Sequence, residues 1–100
     1  MEDELYLVSL YDCYNKLLTD KQRLYFEDYY FNNLTLSEMS ENYEISRNAV
    51  HKQLKEVSLK LEDFESKLKI NEKNNRLIEL SNKLDINIKD KIEEIINLNN

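Results

Sequence analysis

Apolar residues recur along this chain at helical rather than alternating intervals. Between Leu5 and Leu18 they stand at Leu5, Val8, Tyr11 and Leu18, with Leu7, Leu10, Tyr14 and Leu17 beside them, a broad face that predicts a first helix. Thr19 followed by Gln22 has the form of a capping box, in which each residue satisfies the other's backbone N–H. Leu24, Tyr25, Tyr29 and Phe31 then predict a second helix ending near Asn32-Asn33. Asparagine tolerates the left-handed backbone that commonly closes a helix, so this pair can do the work of a glycine.

Thr35 with Glu38 is a second capping box, and Leu34 is placed to staple onto Met39, so a short third helix is expected to about Asn42. Ser46 can cap a fourth helix, with Ile45 before it and Val50 at the matching staple position. That helix carries Val50, Leu54, Val57, Leu61, Phe64 and Leu68 in steps of 4, 3, 4, 3 and 4, a heptad-like seam with no breaker before Ile70-Asn71. A helix this long overruns a small three-helix head. The distal seam of Val57, Leu61, Phe64 and Leu68 is therefore expected to be covered by the C-terminal segments or by a second copy, and a homodimer is the expected assembly. The tail predicts helices over Glu72–Leu84 and Ile88–Leu98 with Asn87 as a cap between them, or one bent helix. The expected division is a helix-turn-helix domain over 1–70 and a helical extension over 71–100 that packs on the long helix or on a second subunit.

Composition narrows the class. There is no Gly and no Pro among the 100 residues, which excludes the dinucleotide fingerprint, the P-loop and the nucleophile elbow, since each needs backbone conformations that glycine supplies. With 41% hydrophobic and 34% charged residues, a helical core is still attainable, and the fold class expected is all-α. One Cys and one His cannot build a zinc site or an internal disulfide, so no metal and no cofactor is expected. The Met-Glu-Asp-Glu start has no basic region and no apolar run reaches membrane-spanning length, so a cytoplasmic protein without a membrane partner is expected.

The net charge of -6 argues against nonspecific coating of nucleic acid, so any such surface must be local. Residues 1–43 hold three basic and nine acidic side chains, whereas residues 44–69 hold six basic and five acidic. The cationic window opens the fourth helix, where Arg47, Lys52, Lys55 and Lys60 face only Glu56.

Two helices joined by a short turn, the second opening on Ser-Arg, have the form of a helix-turn-helix over Thr35–Leu54. Leu36, Met39, Tyr43, Ile45, Val50 and Leu54 would lock the pair together. Ser46, Arg47, Asn48, His51, Lys52 and Lys55 would then face outward as the candidate nucleic-acid-binding residues, offering donors to phosphates and, through Arg and Asn, to guanine and adenine edges.

The stretch LTLSEMSENYEISRNAVHKQL, Leu34 to Leu54, resembles the fourth region of bacterial sigma factors. More of the chain resembles the YlxM family of helix-turn-helix proteins, through LLTDKQRLYFEDYYFNNLTLSEMSENYEISRNAV and the following KLEDFESKL, roughly Tyr6 to Leu68. The departures are Ser40, where that family's motif usually has Ala, and a tail after Ile70 without a counterpart in the quoted motifs. The resemblance implies a sigma region 4-like three-helix head followed by a long helix. It also implies a regulatory protein whose gene commonly neighbours signal recognition particle genes, and hence a role in that pathway. The partners expected are DNA, the particle RNA or the particle protein. The alternative is a protein–protein adaptor of the same machinery that does not bind DNA.

Other residues read more plainly. His51 reads as a solvated surface histidine as well as a phosphate contact, and Arg47 as a surface residue paired to Glu44 or solvated. Cys13 reads as a packed small hydrophobe. The seven Tyr and three Phe fall at core spacing rather than forming a stacking platform. Asp20, Glu27 and Asp28 lie near no His or second ligand cluster, and read as a solvated face. No catalytic residues emerge, and no enzyme is expected.

Overall fold

The computed structural model describes residues 3–98. Among these, all regular structure is helical: α1 (Glu4–Tyr14), a 3-10 turn (Asn15–Leu17), α2 (Asp20–Tyr30), α3 (Leu36–Tyr43), α4 (Arg47–Leu68), α5 (Ile70–Ser81) and α6 (Ile86–Asn97).

The capping signals act as read. Thr19 Oγ1 accepts from Gln22 N at 3.2 Å while Gln22 Oε1 accepts from Thr19 N at 2.9 Å. Thr35 and Glu38 repeat the arrangement at 3.1 Å in both directions. Ser46 Oγ accepts from Ala49 N at 3.0 Å, and Asp3 caps α1 through Leu5 N at 3.1 Å. The cap of α6 is Asp85, whose Oδ1 accepts from Asn87 N at 2.9 Å, so Asn87 is the donor of that cap and not the capping residue. The tail is two helices rather than one bent helix. The first helix also ends earlier than its pattern suggested, at Tyr14. The 3-10 turn that follows is held by Arg23, whose Nη1 donates to the carbonyls of Asn15 at 3.1 Å and Leu18 at 2.8 Å.

Among the described residues, three take left-handed backbone in this chain without glycine: Asn33 (φ 55°), Glu44 (φ 56°) and Lys69 (φ 54°). Asn33 lies in the pair expected to close α2. Glu44 makes the turn of the helix-turn-helix. Lys69 ends α4 and starts α5 at once, turning the chain within one residue.

Among the described residues, two clusters make the interior. Tyr25, Met39, Val50 and Leu54 form the smaller, with Leu34, Leu36, Tyr43 and Ile45 packed around it, so both staple pairs contribute. The larger joins α1 and α2 to the C-terminal half of α4: Leu7, Leu10, Tyr14 and Phe26 meet Val57 and Leu61, and the Tyr11 and Phe26 rings stack 4.3 Å apart. The expectation that the C-terminal segments or a second copy cover the seam is thereby corrected. Val57 and Leu61 are fully buried within one chain, because α1 lies along α4 where the small head was expected to stop. Phe64 packs partly on the same core through the Tyr14 ring, and of the four only Leu68 is exposed. A second copy cannot use Val57 or Leu61.

Beyond α4, α5 rests on α1 and on the end of α4, and α6 packs on α5. The Cα extents are 52 × 25 × 22 Å, so the molecule is elongated, with the helix-turn-helix and the α5–α6 hairpin at opposite ends of the long helix.

Candidate nucleic-acid interface

The site rests on the crossing of α3 and α4. Met39 of α3 and Val50 and Leu54 of α4 are wholly buried against Tyr25 of α2, which sets the pose of the second helix against the first. The turn between them is closed by Ser40. Its backbone carbonyl accepts from Ile45 N at 3.2 Å, and its hydroxyl donates to the Ile45 carbonyl. The hydroxyl that departs from the usual Ala is therefore satisfied inside the crossing. Tyr43 adds a tie to α2 by donating to the Asp28 carboxylate, which also accepts from Asn32 Nδ2 at 3.3 Å. Asp28 is thus a half-buried strut between helices and not part of a solvated face. Burial and this hydrogen bond push the Tyr43 hydroxyl up to about 12.

With the apolar side of α4 committed to the core, its other side faces outward. Ser46, Arg47, Asn48, His51, Lys52 and Lys55 are all exposed. At about 100° per residue, Asn48, Lys52, Lys55 and Leu59 fall within an arc of roughly 60°, with His51 beside them. Arg47 stands at the edge next to α3, where its Nη1 donates to Ser37 Oγ at 3.0 Å. This is neither the pairing with Glu44 nor free solvation that the sequence suggested. Among the described residues, Arg47, Lys52 and Lys55 form no ion pair, so their charge is available to a ligand.

Sequence reasoning passed over two members of this surface. Leu59, 55% exposed, continues the Asn48–Lys52–Lys55 line by one more turn, and the i, i+4, i+7, i+11 spacing was the signal. Ser37 is the other, and nothing in the linear pattern marks it, because its role depends on the helix crossing angle. The electrostatic surroundings are mixed: exposed Glu38 and Glu41 line α3, and Glu44 stands in the turn. Chemically, the face offers guanidinium and ammonium donors to phosphates and one carboxamide able to read an adenine edge.

Elsewhere, Cys13 is half-buried, with its thiol pushed up by burial and by the Glu65 carboxylate. Among the described residues no group of three or more His, Cys, Asp and Glu could hold a metal ion, and no helix is long and apolar enough to cross a membrane.

Comparison with known proteins gives a consistent picture. Residues 1–99 match the profile of the family UPF0122, described as "Putative helix-turn-helix protein, YlxM / p13 like". The match therefore runs through the tail that the quoted motifs left unaligned. A UPF0122 protein of Thermoanaerobacter pseudethanolicus is 47% identical over 84 residues, covering 84% of this chain and 69% of that protein. A probable UPF0122 protein of Mycoplasma mycoides is 40% identical over 87 residues, covering 87% and 77%. One from Malacoplasma penetrans is 52% identical over 60 residues, covering 60% and 56%.

Proposed function

The chain belongs to the YlxM / p13-like helix-turn-helix family, and from that premise we propose that it is a regulatory protein that binds nucleic acid through the exposed face of α4. The observation that carries this reading is the division of α4 into two sides. Val50 and Leu54 anchor one side in the core, while Arg47, Asn48, His51, Lys52 and Lys55 stand together on the other with no acidic residue between Ile45 and Lys55. A rigidly held helix presenting its first turns is the usual way a helix-turn-helix enters the major groove. The role is non-enzymatic and cytoplasmic, and the family resemblance extends it to the signal recognition particle pathway.

A second reading draws on a different observation. Glu38, Glu41 and Glu44 sit on the helix and turn that would lie beside the phosphate backbone, and repulsion there favours a protein partner. On this reading the α4 face is the contact surface of an adaptor.

The deciding experiment measures binding of the purified chain to random duplex DNA, to the particle RNA and to the particle protein across a salt series. Nucleic-acid binding that weakens with log salt at a slope of a few units supports the first reading. Binding to the particle protein alone supports the adaptor. No binding to any of the three overturns both.

A further inference from the structure

The α5–α6 hairpin leaves much of its apolar surface uncovered. The two buried residues of α5, Asn71 and Ser81, are polar, while Asn74, Ile70 and Ile78 are partly buried. Leu77 and Leu80 on another side of α5, and Leu84 in the turn that follows it, are 42–56% exposed. In α6 one residue, Ile96, is buried, while Ile86, Ile88 and Ile95 are 50–70% exposed. Two 12-residue helices with this much apolar surface outward are marginal by themselves, because helices of that length draw their stability from tertiary packing.

We propose that the α5–α6 hairpin docks onto the same hairpin of a second copy of this chain, the two closing a four-helix core. Along α6, Ile88, Ile92 and Ile95 step 4 and 3, the spacing of helices packing near 20° in such bundles. Without Ile86, which stands about 180° from Ile95 around α6, these side chains expose on the order of 450 Å² per protomer, somewhat over half of the ~800 Å² that each partner gives to a standard interface.

Charge selects a second copy over other occupants. Residues 69–84 carry four basic and two acidic side chains, and residues 85–98 carry two basic and four acidic. One arm is therefore +2 and the other -2, and the hairpin as a whole is neutral while residues 1–68 hold the full -6. A two-fold axis that lays the first arm of each copy against the second arm of the other pairs opposite charges twice and keeps the acidic heads apart. An anionic membrane or a nucleic acid would meet the acidic arm unfavourably. The recognition face begins about 33 Å away along α4 and stays free in this dimer.

The test is sedimentation equilibrium of the full chain from 1 to 100 µM, together with the concentration dependence of its melting temperature, which rises with concentration when association stabilises the fold. The parent should be dimeric. Leu80→Glu with Ile95→Glu should be monomeric with unchanged helicity, and Leu24→Glu, at an equally exposed leucine of the head, should remain dimeric. If the double variant loses helicity, the single variants Leu80→Gln and Ile95→Gln serve instead, each weakening dimerisation at least tenfold. A monomeric parent, a double variant as dimeric as the parent, or loss of the dimer in Leu24→Glu overturns the proposal. Since none of these residues lies on the α4 face, failure here leaves the nucleic-acid reading standing, and failure of that reading leaves the dimer.

Discussion

The hydroxyl of Tyr14, at the end of α1, donates to Oε1 of Glu65 at 2.5 Å. The pair is the joint between the head and the hairpin. Tyr14 Oη also accepts from Ile70 N at 3.0 Å, and the two Glu65 oxygens accept from Asn71 N and Glu72 N at 3.1 Å each. The first turn of α5 has no cap on its own side, because Lys69 lends no side-chain bond. Its free N–H groups are satisfied by a carboxylate one turn back in α4 and by a phenol from α1.

Glu65→Ala should therefore loosen α5 and α6 before it affects the head. It leaves two backbone donors without partners and the Tyr14 hydroxyl without its acceptor, at a cost of about 1–3 kcal/mol. Amide exchange should accelerate at residues 71 and 72 while the amides of Val50 and Leu54 keep their protection. Equal acceleration at both places would mean that the joint is part of the head's cooperative unit.

Alkaline stability should report the same tyrosines. Burial first, and then the hydrogen bond to Glu65, pushes the Tyr14 hydroxyl up to about 12, where Tyr43 also stands, from an ordinary value of 10.0. A phenol whose folded pKa is raised holds its proton more tightly in the native state. The stability it contributes is complete below pH 10 and is lost as the pH climbs through about 12. Unfolding free energy measured between pH 9 and 12 should fall across this window, and Tyr14→Phe with Tyr43→Phe should flatten the fall.

Glu44→Gly should stabilise the protein. Glu44 sits at φ 56° and ψ 42°, a region that costs a residue with a Cβ roughly 1 kcal/mol and glycine almost nothing. A gain near that size, reduced somewhat by the extra freedom of glycine when unfolded, corresponds to about 2–6 °C in Tm for a chain of this length. A lower melting temperature would mean that the Glu44 side chain contributes more than its backbone strain costs.

Val50→Asp and Leu59→Asp separate the two sides of α4. Val50 is wholly buried, so a carboxylate there is forced into the α3–α4 crossing at a cost on the order of 4 kcal/mol, enough to threaten the fold. Leu59 is exposed, and its change should lie within about 0.5 kcal/mol. Thermal melts of the two variants that coincide would contradict this orientation of the helix.

Arg47→Ala with Lys52→Ala should weaken nucleic-acid binding and reduce its salt slope by about one unit for each lost phosphate contact, with Tm nearly unchanged. Ser37→Ala is the companion: it releases Arg47 from its 3.0 Å hydrogen bond without altering charge, so affinity should drop while the salt slope stays the same. A double variant that binds every nucleic acid as well as the parent would remove the α4 face from the interface.

What the sequence determined by itself was local. Capping boxes at Thr19 and Thr35, the serine cap at Ser46 and the staples at Met39 and Val50 act within five residues, so their chemistry can be read in order along the chain. The exposed face of α4 was legible too, because a helix with one apolar side has its other side defined. Only the tertiary structure decided which apolar residues found partners. Val57 and Leu61 look no different in the sequence from Leu80 or Ile95, yet α1 covers the first two, whereas Leu80 and Ile95 stay more than half exposed among the described residues. Burial of apolar surface is non-directional, so a pattern states that a face will be covered and not by what. Likewise the Arg47–Ser37, Tyr43–Asp28 and Tyr14–Glu65 hydrogen bonds join residues 10, 15 and 51 positions apart, and their geometry exists only once the helices have crossed.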